Sequence, residues 1–176
     1  MKKSIQIFFV ILLFSQFSNA QSIKFGVKAG ANYANLSMLS GDSSGLTSYH
    51  FGAVLEIKTP IIGIQPELIY SSQGTRVAGL NDIKLDYIAV PIVFKFYITK
   101  LSLEVGPQFS YLVSENLSTQ TFTDIKRTDV GVLGGVGLTL VGGLFTQARY
   151  VFGVSDNLNT GGGRNNVFQL SVGYNF

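Results

Sequence analysis

Residues 166–176 read Asn-Val-Phe-Gln-Leu-Ser-Val-Gly-Tyr-Asn-Phe, and no other stretch constrains the fold as strongly. Phe168, Leu170, Val172, Tyr174 and Phe176 share one parity; Val167, Gln169, Ser171, Gly173 and Asn175 share the other. A period of two with one apolar face defines a strand. A strand leaves backbone donors and acceptors open along both edges unless neighbours cover them. The rest of the chain must therefore supply two flanking strands.

It does so with the same pattern. Phe25, Val27, Ala29, Ala31 and Tyr33 alternate with Lys24, Gly26, Lys28, Gly30 and Asn32; Tyr49 through Ile57 and Ile64 through Tyr70 repeat the alternation. Leu101 to Val113 is the longest clean example, and Asp129–Leu140 and Leu144–Gly153 follow. Ile83–Ile98 changes phase, with Leu85 and Tyr87 odd but Phe94, Phe96 and Ile98 even. A bulge near Ala89–Pro91 is expected to absorb the slip, since proline is tolerated in strands mainly at such sites. That makes eight strands, each near or above the about 9–11 residues that cross a bilayer at a tilt.

Composition decides which solvent the apolar parity meets. Charged residues are 13%, against about 25% in soluble domains, so a soluble surface would be short of charge. The connectors alternate as well: residues 36–47, 74–82, 115–126 and 155–165 are long and polar, whereas 59–62, 99–100 and 141–143 are tight. Short turns on one rim and long loops on the other mark an outer-membrane barrel with periplasmic termini and extracellular long loops. The fold expected is all-β, an eight-stranded antiparallel up-and-down transmembrane β-barrel occupying residues 21–176. Tyr33, Tyr49, Tyr70, Tyr87, Tyr111 and Tyr150 take the apolar parity at the long-loop ends of their strands, as an interfacial girdle would.

Residues 1–20 combine Lys2-Lys3, an apolar run over Ile5–Phe17 and the small residues Ser18-Asn19-Ala20. They read as a signal peptide cleaved after Ala20, the apolar run being too short to span a membrane. Removing Lys2 and Lys3 takes the net charge from +3 to about +1, so the alkaline pI does not point to nucleic acid. With no cysteine there is no disulfide framework, thiol chemistry or lipid-anchor cysteine.

The polar parity faces the lumen, and eight strands leave room there only for side chains. Gly26, Gly30, Gly52, Gly106, Gly131, Gly135, Gly137 and Gly173 all take it. So do Lys24, Lys28, Lys58, Lys95 and Arg149, with Glu56, Glu67, Asp86, Glu104 and Asp129. Charges of both signs in so cramped a space must pair. Lys28, Glu56, Glu67, Lys95, Glu104 and Arg149 are the expected structural network. Catalysis has thin support: His50 is the single histidine, with Ser48 near it in sequence, and that spacing demonstrates no triad. One histidine and no cysteine make no metal site. Gly161–Gly163 has no following helix to cradle phosphate, scattered cations argue against nucleic acid, and no cofactor is implied.

Several short stretches together resemble the PorT-like outer-membrane β-barrel family of Bacteroidota. They are Phe25-Gly26-Val27-Lys28-Ala29-Gly30, Gln65-Pro66-Glu67-Leu68 with Tyr70 and Gly74, and Leu85-Asp86-Tyr87-Ile88 with Val90-Pro91 and Lys95. Glu104 through Gln108, Gly131 through Gly137, Ala148-Arg149-Tyr150 with Gly153, and Tyr174-Asn175-Phe176 complete the series. The resemblance spans residues 22–176. It implies an integral outer-membrane barrel inserted by the barrel-assembly machinery, with Tyr174 and Phe176 resembling the insertion signal. The family's founder is linked to protein secretion, and the family carries no catalytic residues to transfer.

The leading expectation is a monomeric, non-enzymatic barrel, structural or presenting its loops to an extracellular or periplasmic protein. A narrow pore, a lipid-modifying enzyme and a soluble lipid-binding barrel with its apolar parity inside are the alternatives.

Overall fold

The computed structural model describes residues 22–36, 43–77, 83–116, 127–154 and 165–176. The expected signal peptide and the tips of all four long connectors lie outside the described residues. Eight strands close into one antiparallel barrel in sequence order. They are β1 (Ser22–Leu36), β2 (Ser43–Lys58), β3 (Ile62–Val77), β4 (Ile83–Ile98), β5 (Leu101–Asn116), β6 (Thr128–Thr139), β7 (Leu144–Gly153) and β8 (Asn165–Asn175). The strand that opened the problem finds both neighbours: β7 pairs Ala148 with Leu170, and β1 pairs Ala31 with the same leucine. No edge is left, which is how a closed barrel satisfies its backbone without water.

The three short connectors sit on one rim. Thr59 closes the first by accepting from the Ile62 N–H at 3.1 Å and donating its hydroxyl to the Ile62 carbonyl at 2.7 Å. The β4–β5 connector is the pair Thr99-Lys100, with Thr99 at φ 60°. Between β6 and β7 the chain turns through Gly142 and Gly143 at φ 69° and 91°, a left-handed backbone that glycine adopts without steric cost.

At the other rim the wall is uneven. β2 to β5 have 16 residues each, whereas β6, β7 and β8 have 12, 10 and 11. Beyond its Tyr111–Thr128 pair with β6, β5 continues to Asn116, paired there with Lys84 of β4. The longer strands exceed a bilayer crossing by about five residues.

The apolar parity faces outward as expected: Phe51, Leu103, Val105, Phe109, Phe152 and Val172 are all more than half exposed. β4 departs from its expected course. Alternation runs unbroken from Leu85 to Ile98, and the β3–β4 register keeps count across Ala89–Pro91. The bulge lies instead on β5, where Asp86 pairs with Ser114 but Tyr87 with Leu112; a second register shift falls on β2 between Gly45 and His50. Tyr87 therefore points inward, 2% exposed, and leaves the expected girdle, while Asp86 takes the outward parity and leaves the expected lumen set. The lumen is not wholly polar: Leu85, Tyr87 and Leu112 form one apolar cluster, and Val93, Leu133, Val151 and Val167 another.

Candidate functional site

Lys28, Glu56, Glu67, Lys95, Glu104 and Arg149 come from six different strands, and closure brings them together in the lumen, each 6% exposed or less. Arg149 is the hub. Its Nη1 and Nη2 donate to the two oxygens of Glu67 at 2.9 and 2.8 Å, a bidentate fork, and Nε donates to Glu104 Oε2 at 2.6 Å. Lys28 Nζ lies 2.8 Å from Glu67 Oε2. Lys95 Nζ bridges Glu104 at 3.5 Å and Glu56 at 3.3 Å.

Neutral side chains complete the array. Gln65 donates to Glu67 at 2.5 Å, Gln147 to Glu104 at 3.0 Å, Ser102 to Glu104 at 3.2 Å and Asn175 to Glu56 at 2.9 Å; the Tyr97 hydroxyl also donates to Glu56. Three cations face three carboxylates. Removing two ions from water costs several kcal/mol each, recovered only when geometry and hydrogen bonding are good; the forked arginine supplies both. Lys24 and Lys58 are half-buried near the short-turn rim, Lys58 lying 3.9 Å over the Tyr97 ring. Asp129 is buried.

Inward glycines make room for these groups. A Cβ on Gly137 would land 2.5 Å from both Glu104 Oε1 and Ser102 Oγ. One on Gly30 would lie 2.7 and 2.8 Å from the His50 ring.

His50 is 1% exposed, and the hydroxyl it meets is that of Ser171 on β8; Ser48 instead donates to the Ser72 carbonyl at 2.5 Å. Asn32 Nδ2 donates to Ser71 Oγ at 2.9 Å and to the Ser72 carbonyl at 2.8 Å, which turns Asn32 Oδ1 toward His50 Nδ1 at 2.7 Å. That bonding assigns the proton to Nδ1 and leaves Nε2 to accept from Ser171 at 2.8 Å. A Ser–His–Asn row invites comparison with a hydrolase relay. Here Ser171 is 3% exposed and the row is packed against Gly30, so it works as a strut between β2 and β8.

Parity marked the six charged residues; it also put Tyr97, Gln147, Asn175 and Ser171 inside, although nothing in their spacing announced their partners. Of the expected girdle, Tyr33, Tyr49, Tyr70, Tyr111 and Tyr150 point outward. Tyr49, Phe51 and Tyr70 stack with ring centroids 5.2–6.5 Å apart. At the opposite rim, Phe176 stacks on Phe25 at 6.3 Å and meets Tyr174 edge-on at 5.3 Å.

A closed eight-stranded barrel with a lipid-compatible exterior and an ion-paired interior is the architecture of a small outer-membrane protein. The chain belongs to the outer membrane protein beta-barrel domain family, which matches residues 14–159, and that membership implies the outer membrane. No curated protein matches it in sequence. Among solved structures it is similar to Neisserial surface protein A (TM-score 0.65, 18% identity, 88% of this chain and 99% of that one). It is also similar to the attachment invasion locus protein Ail of Yersinia pestis bound to the heparin analogue sucrose octasulfate (0.55, 15%, 88% and 99%). OprG of Pseudomonas aeruginosa is a third (0.55, 13%, 89% and 97%). At these identities the likeness is one of fold.

Proposed function

We propose that the protein is a non-enzymatic, non-conducting outer-membrane scaffold that presents its long-loop rim to a partner outside the cell. The observation that carries this reading is the Glu67–Arg149–Glu104–Lys95–Glu56 chain, which ties β2, β3, β4, β5 and β7 together across the lumen. A solute would have to break several buried ion pairs to pass. The taller β2–β5 side supports presentation, because its 16-residue strands run past the length that crosses a bilayer.

On this reading the short-turn rim faces the periplasm, and Tyr174 and Phe176 serve the barrel-assembly machinery as an insertion signal. The motifs that resemble the PorT-like family favour a secretion- or surface-related role; the partner is a protein, and the barrel acts as a monomer. Planar-bilayer recording tests the closed lumen. The wild type should be silent, and discrete conductance steps would replace the scaffold with a narrow pore. Capture of partners by intact cells tests presentation, which fails if shortening residues 117–126 leaves the captured set unchanged.

A further inference from the structure

The outer face near the short-turn rim carries a groove of about 440 Å³ bordered by Ile62, Ile64, Phe94, Phe96, Leu103 and Val105. Register explains its shape. Ile62 pairs with Phe96 and Phe96 with Leu103; Ile64 pairs with Phe94 and Phe94 with Val105. Two outward rows therefore cross three strands, and the groove lies between them. Gly63, Lys95 and Glu104 form its floor with backbone, because the Lys95 and Glu104 side chains are turned into the lumen. All six bordering residues are 43–59% exposed.

Two cross-strand pairs beyond Phe96–Leu103, past the inward Tyr97–Ser102, comes Ile98–Leu101, and the turn that joins those two carries Lys100, which is exposed. Among the described residues no ion-pair partner is recorded for its ammonium. The rise from the Phe96–Leu103 row to that pair is about 7 Å, within reach of a lysine side chain lying along the surface.

We propose that the groove and Lys100 form a seat for one anionic phospholipid, with an acyl chain between the two rows and the phosphate on Lys100. The proposal rests on the reading that the short-turn rim faces the periplasm, because phospholipid headgroups then lie at the level of Lys100. The bilayer already solvates apolar side chains, so burial from water contributes nothing here. What distinguishes the seat is dispersion contact from two walls and a floor, together with a lysine at headgroup level. Charge complementarity selects an anionic lipid over a second copy of the chain, which would set one Lys100 region against another.

The experiment is native mass spectrometry of the full barrel exchanged from vesicles of equal phosphatidylglycerol and phosphatidylethanolamine. One phosphatidylglycerol should be retained in about fivefold preference, the ratio expected for one lysine near an anionic surface. Lys100→Glu should abolish the preference. Val105→Trp, which fills the groove from outside and leaves the lumen untouched, should lower retention of either lipid while heat-modifiable migration shows a folded barrel. Equal retention of both lipids by the wild type, or retention unchanged in both variants, overturns the seat. A wild-type dimer dispersed by Val105→Trp overturns it in favour of a second copy. The orientation is read separately, by labelling a Lys100→Cys variant on intact cells. Labelling from outside refutes the periplasmic assignment, whereas protection together with equal lipid retention refutes the seat alone.

Discussion

His50 on β2 and Ser171 on β8 hydrogen-bond at 2.8 Å although β1 lies between them. The bond crosses β1 at Gly30, which pairs with His50 on one side and Ser171 on the other. Asn175 of β8 reaches Glu56 of β2 in the same way near the other end of the seam, where Gly26 pairs with Asn175. From Gly26 to Asn32 the inward residues of β1 thus alternate between glycines that let β2 and β8 meet and two polar residues. Asn32 bonds to His50 and Gln169 on those neighbours, and Lys28 reaches past them to Glu67 on β3 and Gln147 on β7. The β1–β8 closure is held by the backbone ladder and by lumen struts above it.

Gly30→Val should therefore weaken closure out of proportion to the atoms added. The new Cβ would collide with the Leu170 carbonyl and with the imidazole at 2.7 Å, and backbone cannot move aside without loosening the seam. Overpacking of this kind costs about 1–3 kcal/mol, read as a lower urea midpoint for the detergent-folded barrel. Ala31→Val, one residue away on the outward face, should leave that midpoint unchanged.

Arg149 is the charge whose loss should matter most. Arg149→Met leaves Lys28 as the one cation paired with Glu67 and Lys95, at 3.5 Å, as the one paired with Glu104 among the described residues, and breaking a buried pair this way costs about 3–5 kcal/mol. Adding Glu104→Gln leaves every remaining ion paired, Glu67 with Lys28 and Glu56 with Lys95, and should recover part of the loss. Glu104→Gln should cost less than Arg149→Met, because Arg149 keeps its fork on Glu67 and Lys95 keeps Glu56. Melting temperatures in one detergent would rank the three; a double variant no more stable than Arg149→Met would refute the pairing scheme.

Tyr87 separates the inward from the outward tyrosines. It is 2% exposed and clusters with Leu85 and Leu112, whereas Tyr111 is 47% exposed on the outer face. Truncating a large buried aromatic costs about 3–5 kcal/mol, so Tyr87→Ala should lower the unfolding midpoint much more than Tyr111→Ala. Similar losses at the two sites would return Tyr87 to the lipid face.

Tyr87 also marks where the sequence could be read and where it misled. Alternation gave the strands, the closure and the inward charges because lipid and lumen impose opposite polarity on neighbouring residues. It failed at Leu85 and Tyr87 because an eight-stranded lumen is filled with side chains, and some of that filling is apolar. An apolar inward residue then looks like a slip in phase. Counting back by twos from Lys95, whose charge demands the inside, would have placed Tyr87 inward. The pairings themselves were not legible: Arg149 and Glu67 are 82 residues apart, and only closure sets them face to face.

Phe176 offers the last test, because its contacts and its proposed role in assembly can be separated. Its N–H donates to the Phe25 carbonyl at 2.8 Å, and its ring, 69% exposed, stacks on Phe25. The backbone bond survives substitution, and an exposed ring near the rim contributes little to the finished barrel. Phe176→Asp should thus leave the urea midpoint of refolded protein within about 1 kcal/mol of wild type, yet reduce the fraction reaching the outer membrane in cells severalfold. Phe25→Ala removes the same stack from β1 and should leave assembly in cells intact. If both variants assemble normally, β8 carries no insertion signal at Phe176; if both fail alike, the stack rather than the signal is what assembly requires.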